Sequence, residues 1–347
     1  MAPIKTALLS FGMSGKIFHA PFINLHKGFQ LMGAWERSKK AIEEIYPGTL
    51  SYSSLEAILA DKSIELVVVN TPNNTHYEYA KAALLAGKNV VVEKAFTTTV
   101  QEALELKLLA EKVNKKVSVY QSRRWDSDFK TVKKIKESNL LGDVVEASLY
   151  YDRYKPLIGP KQHKETAGPG AGLLNDLGPH LIDMALCLFG MPQALFADIR
   201  ITRPHSQVDD WFDISLHYTA CRVRLKSSIF VREPLPSFVL HGTKGSFIKS
   251  RTDVQEANLL AGKQPNLTDW GTEPESESGL LHTEKDGVII KEKVPTAQGN
   301  YYYYYDGVYK ALTEDKPMPV TCDEGINVMT IIEAAIKSNA EKRLVEL

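Results

Sequence analysis

IKTALLSFGMSG, Ile4 to Gly15, reads as a short apolar strand running into a glycine-containing turn and then a helix. Gly12 and Gly15 occupy the second and third glycine places of the pattern G-x-G-x-x-G, and Ser10 stands at the first. In that pattern the glycines permit a tight turn, close approach of backbone to a pyrophosphate, and close packing of helix on strand. Two glycines of three is a partial match, and an ordinary strand-helix turn is the plain alternative. The surroundings favour the phosphate reading. The loop follows a strand, precedes a helix whose first N–H groups suit an anion, and lies 21 residues before Glu36 at the end of the second strand. Phe11, Gly12, Met13, Ser14 and Gly15 are therefore candidate cofactor contacts.

Outward from this turn, short apolar runs alternate with helical patterns up to Tyr120, the signature of a parallel sheet built from strand-helix-strand units. The predicted strands are 4–9, 30–35, 49–52, 66–70, 89–92 and 117–120. LVVVN, Leu66 to Asn70, is continuously apolar and should lie mid-sheet. Ser53 with Glu56 and Thr99 with Glu102 read as capping boxes, and Gly87 ends the helix that starts near His76.

Beyond Tyr120 the pattern changes. A helix near 128–138 precedes strands at 144–154, 194–202, 211–218 and 222–230, with hairpin signals at GTKG (Gly242 to Gly245) and at Asp286-Gly287. Successive strands joined by short turns imply a largely antiparallel sheet. Residues 265–279 read as a polar surface excursion. A final helix, 323–340, carries Ile326, Met329, Ile332, Ala335 and Ile336 on one stripe and has to pack against something, the first domain being one choice. The expected fold is α/β: a doubly wound Rossmann domain over 1–122, then an α/β domain with an open, largely antiparallel sheet over 123–347.

Composition narrows the function. Forty-two Lys and Arg balance forty-two Asp and Glu, so no global field favours nucleic acid or an anionic membrane, and a small-molecule partner fits better. Cys187, Cys221 and Cys322 are odd in number and lack metal-site spacing, which argues against a disulfide framework and a zinc site and for a cytoplasmic setting. The N-terminus lacks the basic flank and apolar core of a signal peptide, and no apolar run reaches membrane-spanning length.

Glu36 could hydrogen-bond the adenosine ribose hydroxyls, which favours NAD, whereas Arg37, followed by Ser38, Lys39 and Lys40, could pair a 2′-phosphate. Alternatively these charges cap and solvate the next helix. NAD and NADP both stay open. Two further strand ends feed the crevice where ligands sit in open α/β sheets: TPNNTH, with Thr71, Pro72, Asn73 and His76, and EKA, with Glu93 and Lys94. A partly desolvated Lys94 beside a substrate hydroxyl would stabilise a developing alkoxide; a solvated surface charge is the alternative.

In GPGAGLLNDLGPHLID, Gly168 to Asp183, Asp176 and His180 stand four residues apart, which on a helix places both on one face roughly 6 Å apart. A carboxylate beside an imidazole is the pair that orients a general base near neutral pH. Asp176 is equally placed to N-cap a helix that Pro179 opens.

The glycine loop, TPNNTH, EK, RRW (Arg123 to Trp125) and G-x-x-x-D-x-G-x-H (Gly172 to His180) together resemble the Gfo/Idh/MocA oxidoreductase family over nearly the whole chain. SVYQSRRWDSDF, YDRYKP, LFGMP, HGTKGSFIK and DEGINVMTIIEAA are most similar to its branch of NADP-dependent scyllo-inositol dehydrogenases. The resemblance implies hydride transfer between NADP or NAD and a cyclic polyol, a sugar or the matching ketone. It implies Lys94, Asp176 and His180 as the catalytic set: His180 takes the hydroxyl proton, Asp176 positions it, and Lys94 polarises the oxygen. Arg124 and Trp125 would join the cofactor contacts, and Tyr154 with one or more of Tyr301, Tyr304 and Tyr305 would line the polyol pocket, helix packing being the alternative for the tyrosine run. A homo-oligomer, dimer or tetramer, joined through the open sheet is also implied. Ala95 replaces the family's usual proline after Lys94, and Ser10 replaces a glycine, which a serine tolerates if its φ stays negative. Two other functions live on such a fold, a non-catalytic dinucleotide sensor and an NAD-dependent glycosidase; the first is expected to lack the Lys/Asp/His set.

Overall fold

The computed structural model describes residues 2–36, 39–159 and 162–347. They form two compact units, between which the chain passes five times: unit 1 takes residues up to Ser122, Gln255–Trp270 and Asn300–Ile326, and unit 2 takes Arg123–Val254, Gly271–Gly299 and Asn327–Leu347. The strands are β1 (Ile4–Leu8), β2 (Phe29–Trp35), β3 (Leu50–Tyr52), β4 (Leu66–Val69), β5 (Asn89–Glu93), β6 (Val117–Tyr120), β7 (Val144–Tyr150), β8 (Ala194–Arg200), β9 (Trp211–His217), β10 (Arg222–Ser228), β11 (Phe238–Gly242), β12 (Gly245–Lys249), β13 (Gly279–Lys285), β14 (Val288–Val294) and β15 (Val345–Glu346). The α-helices are α1 (Ala20–Leu25), α2 (Ala41–Ile45), α3 (Leu55–Ala60), α4 (His76–Leu85), α5 (Val100–Lys112), α6 (Ser127–Glu137), α7 (Gln162–Glu165), α8 (Leu173–Phe189), α9 (Val254–Leu260), α10 (Tyr302–Thr313) and α11 (Cys322–Glu341).

Unit 1 contains a parallel sheet in the order β3-β2-β1-β4-β5-β6. All six strands expected from the apolar runs are present, and β4 lies buried between β1 and β5, as a strand covered on both faces requires. The order reverses between β1 and β4, so the loop after β1 opens at the switch point where such sheets bind ligands. Helix signals hold locally. Thr99 and Glu102 form a reciprocal capping box on α5, and Gly87, at φ +77°, follows the end of α4. At α3 the cap is one residue later than expected: Ser54, not Ser53, accepts the Ala57 N–H at 3.2 Å.

Unit 2 contains a mixed sheet in the order β14-β13-β12-β11-β7-β10-β9-β8-β15. Only β7 and β10 run parallel; the remaining pairs are antiparallel, and both predicted hairpins are present. Along β9, Phe212, Ile214 and Leu216 point inward while Trp211, Asp213 and Ser215 alternate on the outer face. The helix α8 packs on β7, β9 and β10 from the inner side.

Two expectations need correction. The stretch 265–279 is not simply a surface excursion, because Trp270 is buried against Phe22 and donates to Gln255 at 3.1 Å, while Glu273 pairs with the buried Lys249 at 2.6 Å. On α11 the buried apolar set is Val328, Met329, Ile331, Ile332, Ala334 and Ala335, whereas Ile336 is half exposed. Among the described residues no helix is long and apolar enough to cross a membrane.

Candidate active site

The turn after β1 is held by side chains from the neighbouring strand. Asn70 accepts the Ser10 N–H at 3.0 Å and donates to the Ser10 carbonyl at 2.8 Å, and the Ser10 hydroxyl accepts the Gly12 N–H at 3.2 Å. Ser10 is not among the residues with positive φ, so serine fits there. A Cβ on Gly15 would lie 2.3 Å from the Ser10 carbonyl oxygen, so only glycine lets the following helix pack this closely. Gly12 differs: its nearest neighbour would be the Ser10 hydroxyl at 3.4 Å, and its free side faces a cavity of about 410 Å³. Nothing within the protein demands glycine there, which fits a cradle left open for a phosphate-bearing ligand.

Phe11, Glu36, Lys39, Thr71 and Pro72 also line this cavity, with Trp35 and Tyr79 as an edge-to-face aromatic pair. The Glu36 carboxylate accepts the Ala41 and Ile42 N–H groups at 3.3 and 3.0 Å and the Ser51 hydroxyl at 3.0 Å. It therefore caps α2, the plainer of its two readings, while still bordering the cavity. Arg37 and Ser38 lie outside the described residues. Met13 is exposed and Asn73 half-buried near the same loops.

His76 has no accessible surface, so it does not meet a ligand directly. Its ring lies 2.9 Å from the Thr71 carbonyl and 2.7 Å from that of Ala95, bracing the two strand-end segments against each other, and burial lowers its pKa. Lys94 is half-buried at the end of β5 and the Lys94–Ala95 peptide is cis. Its N–H donates to Glu93 Oε2 at 3.2 Å, and Glu93 Oε1 receives the Ser14 hydroxyl at 2.5 Å and meets His19 Nε2 at 3.0 Å. Burial pushes the Glu93 carboxyl up, but His19, Ser14 and the Lys94 charge outweigh it and hold the pKa at about 2.

In unit 2, α8 begins at Leu173 after an N-cap at Gly172, φ +90°, which lies four residues before Asp176, the expected cap. Asp209, far away in sequence, supplies the cap: its carbonyl accepts the Leu173 N–H at 2.8 Å and its carboxylate the Leu174 N–H at 2.6 Å. Asp176 consequently sits inside the first turn and Pro179 inside the helix, so neither the cap role nor the helix-opening role applies. Asp176 instead takes Lys164 at 2.7 Å and Arg153 at 3.7 Å, with a fifth of its side chain exposed. One turn on, His180 is 7% exposed and packs beside the Tyr151 ring, centroids 6.2 Å apart. Three guanidinium groups surround Tyr151: Arg251 at 3.8 Å, Arg153 at 5.3 Å and Arg123 at 6.0 Å from its ring.

Other sequence candidates fall into different roles. Arg124 makes a bidentate pair with Asp183 of α8 at 2.8 and 2.7 Å, so its fork secures that helix rather than standing ready for a phosphate. Trp125, beside it, is half-buried. Tyr154 is 43% exposed with Arg232 stacked 4.0 Å from its ring centre. Tyr301 and Tyr304 have no accessible surface; Tyr304 donates to Ser118 at 2.9 Å, and both belong to the aromatic core of unit 1, so they do not line an open pocket. Sequence reading missed His19 and Asp209, whose partners lie far along the chain and leave no spacing to read, and gave Tyr305 a pocket role where the structure buries it against His19.

The geometry is that of a dinucleotide fold in a chain whose other unit carries Asp176 and the buried His180 one turn apart on α8, and comparison with known proteins agrees. Residues 4–121 match the oxidoreductase family described as a NAD-binding Rossmann fold, and 133–347 match the same family's C-terminal alpha/beta domain. The chain is 37% identical to scyllo-inositol 2-dehydrogenase (NADP(+)) IolW of Bacillus subtilis, covering 99% of this chain and 96% of that one. It is 36% identical to the uncharacterized oxidoreductase YdgJ of Escherichia coli, over 96% of each. A crystal structure of a Bacteroides fragilis protein assigned to the oxidoreductases superposes with a TM-score of 0.91 at 47% identity, covering 99% of this chain and all of that one. The chain therefore belongs to the Gfo/Idh/MocA oxidoreductase family, as a dehydrogenase or reductase built on a nicotinamide-binding fold.

Proposed function

We propose that this enzyme oxidises a ring CH–OH of a cyclic polyol or sugar of inositol type, or reduces the matching ketone, using NADP. The observation that carries the reading is Asp176 and His180 one turn apart on α8, in a chain that also keeps Lys94 at the end of β5. The 37% identical relative named for scyllo-inositol and NADP(+) supports the substrate class and the cofactor. Bound nicotinamide would supply the hydride acceptor. The residues do the rest: His180 takes the hydroxyl proton as hydride leaves the carbon, Asp176 holds the imidazole in orientation, and the Lys94 ammonium stabilises the oxygen as it gains charge. Both electrons leave with hydride and the proton goes to His180, so the alcohol becomes a ketone with nothing left over.

Two features support NADP over NAD. The Glu36 carboxylate already accepts three hydrogen bonds, which leaves it less able to take ribose hydroxyls, and Lys39 adds a cation to the cavity wall. A panel of inositols, hexoses and their keto forms, followed by nicotinamide absorbance with each cofactor, tests the reading directly. Turnover of no member with either cofactor would sink it. Lys94→Met and His180→Ala should each lower kcat by about 100-fold or more while cofactor affinity moves less than about threefold. Lys39→Glu should weaken NADPH by about tenfold and leave NADH nearly unchanged in a fluorescence titration.

We also propose a homo-oligomer joined through the outer face of the unit 2 sheet. Phe196 and Val145 are 40% and 47% exposed there, beside Trp211, and the paired charges Arg224 and Asp213 lie among them.

A further inference from the structure

His19 is fully buried, yet both ring nitrogens are engaged: Nδ1 lies 2.6 Å from the Tyr305 hydroxyl and Nε2 3.0 Å from Glu93 Oε1. The Tyr120 ring covers the imidazole at 4.3 Å. The ionised Glu93 carboxylate can only accept, so Nε2 must carry a proton toward it, and in the neutral ring Nδ1 then accepts the Tyr305 O–H. The same carboxylate receives the Ser14 hydroxyl from the glycine loop and the Lys94 N–H from the end of β5. One side chain thus ties together two segments that the sequence leaves 79 positions apart. His19 itself ends a π-helical turn, Gly15–His19, closed by the Ala20 N–H on the Gly15 carbonyl. Such one-residue insertions concentrate at functional sites.

We infer that His19 is a positioning residue: by orienting Glu93 it fixes the glycine loop at Ser14 and the backbone of Lys94 in mutual register, and so serves both dinucleotide binding and hydride transfer. The inference rests on the nicotinamide reading above. Without the imidazole, Glu93 would keep the Ser14 and Lys94 donors but lose the fully buried one that fixes its orientation, loosening both segments at once. An apolar residue of similar volume would pack as well against Tyr120 but could not hold the carboxylate. The Tyr305 hydroxyl matters for the same reason, because it selects which ring nitrogen carries the proton.

The test measures dinucleotide dissociation constants by nicotinamide fluorescence, kcat and polyol KM, and the thermal midpoint, on the full chain. His19→Leu should raise the cofactor dissociation constant and lower kcat, each by about tenfold, with polyol KM moving less than about threefold. His19→Gln, which retains a donor toward Glu93, should recover most of both losses. In a Ser14→Ala background the effect of His19→Leu on cofactor binding should shrink, because one tie is already absent. If His19→Leu does not fold, Tyr305→Phe keeps the volume and should move the same two constants by about threefold. A folded His19→Leu or Tyr305→Phe with wild-type affinity and kcat, whatever its thermal midpoint, overturns the inference alone. A wild-type protein that binds neither NADH nor NADPH removes the functional reading and this inference with it.

Discussion

At Gly172 a single methyl group would do the most harm to α8. The backbone there is at φ +90°, and a Cβ would lie 2.0 Å from Asp209 Oδ1, so Gly172→Ala combines backbone strain with displacement of the capping carboxylate. A loss of about 2 to 4 kcal/mol in urea unfolding is expected. The two loop glycines should separate cleanly. Gly15→Ala should lower stability by about 2 kcal/mol or more, because its Cβ would meet the Ser10 carbonyl oxygen. Gly12→Ala should leave the unfolding midpoint unchanged and weaken dinucleotide binding; equal binding by Gly12→Ala would count against the cradle. The spacing of Asp176 and His180 was legible because four residues on a helix always share a face. The partners of His19 were not: Tyr305 lies 286 positions away, and no local pattern records such a contact.

Among the elements, α8 has a pH-dependent start. Burial pushes the Asp209 carboxyl up to about 6, partly offset by the Leu174 and Leu173 N–H groups it meets. An acid whose pKa is raised on folding favours the protonated native form, so its contribution is present at low pH and lost as pH climbs from about 4 through about 6. Asp209→Asn keeps the shape and cannot titrate, so its unfolding free energy should lack this decline. Relative to wild type, the variant should gain up to about 3 kcal/mol between pH 4 and pH 7, read from denaturant curves. Parallel curves at both pH values would show that Asp209 titrates normally. The strands were the easiest elements to foresee, since a run such as LVVV has no solvated face to complicate it. Helix starts were harder. Ser54 displaced Ser53 by one residue, and the cap of α8 came from a loop near β9 rather than from within the motif, so Asp176 was free for Lys164 and Arg153.

For the whole molecule, the balanced charge leaves association to local surfaces, and the outer sheet face of unit 2 is where we expect it. Phe196→Asp should shift the protein toward monomers in light scattering with unit 2 still folded; a wild-type monomer would end that proposal. The division into units has no mark in the sequence where the chain returns to unit 1, because α10 carries the same amphipathic pattern whichever core it serves. Tyr301, Tyr304 and Tyr305 complete the unit 1 core, and Gly325 approaches Phe96 and Val119 so closely that a Cβ would sit 2.8 Å from each. This connectivity bears on synthesis at the ribosome. A nascent chain that has reached Ser122 holds all six parallel strands but none of these tyrosines, and the residues assigned to unit 1 are complete only at Ile326. With part of its core still to be made while unit 2 is synthesised, the first half is expected to gain from a chaperone that shields exposed aromatic surface, raising the yield of this protein more than that of one whose domains follow each other in order.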